Sequence, residues 1–86
     1  MNVKGMRVLV VGMAKSGIAS ARLLATEGAL VTINDVKSTE QLQDALNALQ
    51  GVAYVNALGK DPMTLLDGTD MIVLSPGVSI CAPFAQ

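Results

Sequence analysis

A chain of 86 residues is one small domain or part of one, and 51% hydrophobic against 15% charged residues places it among folding sequences. A net charge of −1 supplies no basic field for nucleic acid or an anionic membrane surface. One cysteine, Cys81, and no histidine exclude an internal disulfide and leave no ordinary ligand set for zinc.

With one Phe and one Tyr, the core must be built from Val, Leu, Ile, Ala and Met. A chain this short buries about 60–65% of its unfolded surface, so its stability margin is thin. Lys4 and Arg7 ahead of an apolar run imitate the start of a signal peptide, but the run is short and Lys15 and Ser16 interrupt it. No stretch reaches the ~18 apolar residues of a membrane span. The expectation is a soluble, cytoplasmic protein with neither nucleic acid nor membrane as partner.

Val8 to Val11 is a continuous apolar run ending at Gly12, the pattern of a strand buried on both faces. Ser16 to Glu27 reads as a helix with Ile18, Ala21, Leu24 and Ala25 inward, Arg22 and Glu27 toward water, and Gly28 as its stop. Leu30 to Ile33 is a second strand, ending at Asn34-Asp35. Ser38, with Gln41 three residues on, opens a helix through a capping box. Leu42, Ala45, Leu46 and Leu49 are its buried stripe, Gly51 ends it, and Glu40 and Asp44 face solvent. Val52 to Val55 is a third strand. Asp61-Pro62 opens a short helical turn through Leu66, ended by Asp67-Gly68, and Met71 to Leu74 is a fourth strand.

Strands alternating with helices imply an α/β fold: a Rossmann-like open parallel sheet in the order 3-2-1-4, truncated, with helices on both faces. Ser79 to Gln86 has no partner element, so the chain is expected to stop within a domain, leaving strand 4 as an edge.

The sharpest chemical feature is Gly12-Met13-Ala14-Lys15-Ser16-Gly17 between the first strand and the first helix. Gly12 suits the tight turn out of the strand, and Gly17 lets the helix approach the sheet. Ala14 stands where the dinucleotide fingerprint has a second glycine. The start of a helix presents main-chain N–H groups and a partial positive charge, so the amides of Lys15, Ser16 and Gly17 suit a phosphate. Ser16 adds a hydroxyl and Lys15 a mobile cation. The plainer alternatives are a ligand-free turn, a solvated Lys15 and a Ser16 that only caps the helix.

Asp35 lies 18 positions past Gly17, where an acidic residue meets a ribose or base; its alternative is a turn aspartate bonding nearby backbone. Lys37 can reach a nucleotide or be solvated. Ser75-Pro76-Gly77 follows the fourth strand at its carboxyl end, facing the glycine turn across the crevice, or is an ordinary Pro-Gly turn. No G-x-x-x-x-G-K-[ST] loop, histidine base or nucleophile–base pair is present, so no catalytic residue and no metal ligand is assigned.

Val8-Leu9-Val10-Val11-Gly12-Met13-Ala14-Lys15-Ser16-Gly17-Ile18-Ala19, Gly28-Ala29-x-Val31-Thr32-x-x-Asp35 and Asp70-x-Ile72-Val73-x-Ser75-Pro76-Gly77-Val78 together resemble the N-terminal domain of the muramyl ligases. The match is closest to the D-glutamate-adding branch and spans residues 6 to 80. The resemblance implies one N-terminal UDP-substrate-binding domain over 1–86, a fragment of a three-domain ligase of peptidoglycan synthesis. The substrate implied is UDP-N-acetylmuramoyl-L-alanine, with ATP and magnesium used by the full-length protein and no cofactor in this fragment. Lacking the ATP site, the fragment alone is expected to be inactive.

Carried onto this chain, the amides of Ala14, Lys15, Ser16 and Gly17 would face the diphosphate. Asp35 and Lys37 would approach uridine, and Ser75, Pro76, Gly77 and Val78 would line the opposite wall. Two departures stand out: Ala14 replaces a common glycine, and Val36 replaces the threonine of some relatives. The competing readings are a nucleotide-binding fragment of an NAD(P)- or flavin-dependent oxidoreductase, which uses the same residues, and a non-catalytic nucleotide-sensing module.

Overall fold

The computed structural model describes residues 2–74. Strand β1, Arg7–Val11, is buried at every position but the first, as a run of Val and Leu must be when both sheet faces are covered there. It pairs in parallel with β2, Leu30–Asn34, on one side and with β4, Met71–Leu74, on the other. Strand β3, Val55–Asn56, pairs in parallel with β2 and completes the order β3-β2-β1-β4. The order expected from the sequence is the order found.

Helix α1, Lys15–Thr26, buries Gly17, Ala21 and Leu24, with Ile18 and Ala25 partly buried against the core. It ends where Gly28 was expected to end it. The Ala29 N–H donates to Leu24 O and the Gly28 N–H to Ala25 O, both within 3.1 Å, which is the paired-bond stop that a left-handed glycine permits.

The capping box before the second helix also forms: Ser38 N–H donates to Gln41 Oε1 at 2.9 Å, and Gln41 N–H to Ser38 Oγ at 3.4 Å. The segment it opens is less regular than one helix. A 3-10 turn, Glu40–Leu42, leads into helix α2, Gln43–Ala48, and Leu42 between them departs from helical backbone at φ −113° and ψ 27°. Ala45 and Leu49 are buried, with Leu42 and Leu46 partly so.

Strand β3 is shorter than the expected Val52–Val55 and lies further along the chain. Val52 and Tyr54 pack against the core from outside the ladder, and only Val55 and Asn56 pair with β2. An edge strand has one neighbour to hold it, and here that contact is confined to Thr32 and Ile33. A second 3-10 turn, Pro62–Leu65, comes next, with the Asp61 carboxylate accepting the Met63 N–H at 2.9 Å.

Cross-strand rows divide the sheet into two faces. Val8, Val31 and Met71, then Val10, Ile33 and Val73, form rows that belong to the core under α1 and α2. Leu9, Thr32 and Ile72, then Val11, Asn34 and Leu74, form the rows of the other face. There Leu30, Thr32 and Val55 of the sheet and Leu65 of the second 3-10 turn bound a shallow groove.

Candidate functional site

The carboxyl edge of the sheet collects the functional candidates. Val11 pairs with both Asn34 and Leu74, so β1, β2 and β4 end level with one another. The glycine turn leaves from the middle of that edge. The ladder continues one step past β1, where Gly12 N–H donates to Asn34 O at 2.8 Å. The chain then turns away at Gly12, whose φ of +96° an L side chain rarely adopts.

Met13 and Gly17 seat the turn. The Met13 side chain is buried in the core under α1. At Gly17, a Cβ would stand 1.9 Å from the Gly12 carbonyl oxygen and 3.0 Å from its carbon. No side chain fits between the first turn of α1 and the end of β1. Gly17 is thus the close-packing residue expected from the sequence, and the approach is to main chain, which cannot swing aside.

Ala14, and not Ser16, occupies the N-cap position. Its φ of −73° and ψ of 178° are extended backbone that any residue adopts, so alanine in place of the usual glycine carries no conformational cost. The Ile18 N–H makes the first intrahelical bond, to Ala14 O at 3.0 Å, and the amides of Lys15, Ser16 and Gly17 precede it. Among the described residues Ala14 makes no side-chain cap hydrogen bond, and the first turn carries no acidic residue. Ser16 is the second residue of α1 and is engaged within the protein. Ala14, Lys15 and Ser16 are exposed while Gly17 is buried.

Asp35 is drawn to the turn across 22 residues of sequence. The Met13 N–H donates to Asp35 Oδ2 at 2.8 Å, and the Lys37 N–H donates to Asp35 Oδ1 at 3.0 Å. Both carboxylate oxygens therefore hold main chain, which includes the local turn weighed as the plainer reading of this residue. The Lys37 side chain is exposed at the same edge. Ser75, Pro76, Gly77, Val78 and Cys81 lie outside the described residues.

Asn34 is a participant that sequence reasoning missed. It is 1% exposed, and its Nδ2 donates to Ala57 O and Lys60 O, each at 2.9 Å. With the Gly59 N–H donating to Asp35 O at 2.8 Å, it fastens the loop after β3 to the carboxyl end of β2. Its Oδ1 is buried and finds no partner among the described residues. A polar residue closing an otherwise β-branched strand was the available signal, but its loop partners are more than 20 positions away.

Among the described residues, no group of three or more His, Cys, Asp or Glu is placed to hold a metal ion, and no helix is long and apolar enough to cross a membrane. The arrangement offers main-chain donors at a helix start, beside a turn held from two directions. Chemically, donors in such an arrangement are able to receive an anion.

Residues 6–86 match the family model described as the Mur ligase MurD-like N-terminal domain. Curated relatives agree. The UDP-N-acetylmuramoylalanine--D-glutamate ligase of Anaeromyxobacter dehalogenans is 45% identical over 98% of this chain and 18% of its own length. Those of Koribacter versatilis and Shouchella clausii are 44% identical over the whole chain and 49% identical over 86% of it, covering 18% and 16% of their own lengths. The chain thus spans less than a fifth of these relatives. A match of this extent, on a chain whose strand order and glycine turn fit it, assigns the family: this chain belongs to the MurD-like N-terminal domains of the Mur ligases.

Proposed function

We propose that this domain binds the uridine diphosphate part of UDP-N-acetylmuramoyl-L-alanine for a ligase that adds D-glutamate in peptidoglycan synthesis. The observation that carries the reading is the start of α1, with alanine at its N-cap and no acidic residue in its first turn, set against the end of β1 by a glycine that admits no Cβ. A diphosphate supplies the negative charge that such a helix start favours, and receives hydrogen bonds from the main chain that a mobile side chain could not preset. Lys15 and Lys37 add cations at the same edge. Ser16, already engaged, contributes its position in the first turn.

In this reading the uridine lies toward the end of β2, near Lys37. The full-length protein would use ATP and magnesium in domains beyond this one and work in the cytoplasm; this domain by itself binds and does not react. The family match supports the ligase reading over an NAD(P)- or flavin-dependent oxidoreductase, and over a nucleotide-sensing module.

The test compares two variants at one position. Lys15 is the first residue of α1 and comes after an extended Ala14, so proline fits there without strain while deleting an amide donor. Lys15→Ala removes the charge and keeps the amide. With UDP as probe and amide resonances as readout, Lys15→Pro should bind more weakly than Lys15→Ala by about tenfold, as expected for one charge-assisted hydrogen bond. Equal affinities, or NADH shifting residues 13–17 while UDP does not, would refute the reading.

A further inference from the structure

We infer that Asn34 is a positioning residue for the nucleoside end of the site: its side-chain amide fixes the turn 57–60, and that turn fixes the main chain leaving β2. The inference rests on the reading that a uridine diphosphate lies along this edge, with its uridine toward the end of β2.

Asn34 belongs to the cross-strand row of Val11 and Leu74, on the face that is open elsewhere. At this end the turn 57–60 closes the face, and Ala57 and Leu58 are buried there with Asn34. An aliphatic side chain would fill the same place with no polar atom to satisfy. The carboxamide instead leaves Oδ1 buried with no partner among the described residues, which costs stability. What it contributes is a pair of donors. Nδ2 donates to Ala57 O and to Lys60 O, each at 2.9 Å, so one side chain closes the turn at both of its ends.

The closed turn passes its position back to β2. Between the two bonded carbonyls stands Gly59, whose N–H donates to Asp35 O at 2.8 Å. That carbonyl belongs to the rigid peptide unit joining Asp35 to Val36, so holding it sets the direction in which the chain leaves the strand. Gly59 also rests on the same loop, since a Cβ there would lie 3.8 Å from Ser38 Cα. A second tie, from Asn56 Nδ2 to Thr39 Oγ1 at 3.3 Å, holds the loop further on.

The main chain at 35–37 is thus backed by a turn that depends on the Asn34 side chain. The glycine turn is held separately. It has the Gly12 N–H on Asn34 O, a bond any residue at 34 supplies, the Met13 side chain in the core, and the Met13 N–H on the Asp35 carboxylate. Loss of the clip should therefore be felt at the nucleoside and not at the diphosphate. Lost stability alone would lower the folded fraction, and with it both affinities by one factor.

The experiment uses the 86-residue chain, with UDP and inorganic pyrophosphate as separate probes and amide resonances as readout. Asn34→Leu removes both donors and the orphaned acceptor at similar volume; Asn34→Asp keeps the shape but, ionised, offers acceptors only. Gly59→Val disturbs the clip from its far side, because a β-branched residue does not hold φ +79°. Each should lose about fivefold or more for UDP, the worth of one hydrogen bond, and under about twofold for pyrophosphate. In the unliganded chain the Gly59 amide proton should move upfield and exchange faster in both Asn34 variants, while Val8 to Val11 keep their resonances.

Equal losses for the two probes overturn the proposal in favour of a purely structural Asn34, and an unmoved Gly59 amide removes the relay itself. If neither Asn34 variant folds, Gly59→Val decides the selectivity alone. If the wild-type chain binds neither probe, the proposed function falls and takes this role with it; if it binds both and the variants match it, only the role of Asn34 falls.

Discussion

The two faces of this sheet are built from the same kinds of residue and have different fates. On the face under α1 and α2, Val8, Val10, Val31 and Ile33 are at most 2% exposed. On the other, Leu9 and Val11 of the central strand are buried, but Leu30, Val55, Ile72 and Leu74 of the flanking strands remain 44–61% exposed, although they are just as regularly paired. Hydrogen-bonding a strand into a parallel sheet does not bury its side chains; only a layer packed on the face does that. The difference separates the part of the molecule that resists deletion of atoms from the part that tolerates it.

The largest effect should come from Gly17→Ala on the covered side. A Cβ 1.9 Å from a carbonyl oxygen forces α1 away from the end of β1, and the expected loss is more than about 3 kcal/mol, beyond the usual cost of overpacking. Circular dichroism with urea titration measures it; a change under about 1 kcal/mol would mean that the helix can slide and that α1 and β1 are only loosely coupled at the turn. Ile33→Ala, at 0% exposure, should cost about 3 kcal/mol through lost contacts and a cavity.

Ile72→Ala removes the same atoms from the open face and should cost about 1 kcal/mol or less, because a half-exposed side chain has less contact to lose. Equal losses at Ile33 and Ile72 would break the comparison between the faces. Loss of the capping-box hydroxyl in Ser38→Ala should cost about 1 kcal/mol, read from the urea midpoint and from weakened protection of the Gln41 amide against exchange. Val55→Thr, on the exposed edge strand, should stay within about 0.5 kcal/mol and leave the midpoint nearly unmoved.

Patterns that act over a few residues could be read directly from the chain. The apolar run before Gly12, the helical spacing of Ala21 and Leu24, the stop at Gly28 and the Ser38–Gln41 box each involve partners less than about two helical turns apart, so local spacing suffices. Alternation of such elements, with the handedness of parallel crossovers, then leaves few arrangements of four strands, and the order β3-β2-β1-β4 was among them. The need for glycine at position 17 was legible too, since a strand entering a helix directly demands close approach.

Roles that depend on register could not be read in that way. Asp35 holds Met13, and Asn34 holds Ala57 and Lys60, because the β1–β2 and β2–β3 pairings bring these residues level. The extent of β3 is set by its having one neighbour, and the open face by which rows receive a packed layer. Local spacing therefore specifies the elements and the turn that can receive an anion. The pairing of strands specifies which side chains hold that turn in place, because their partners are neighbours in space and far apart along the chain.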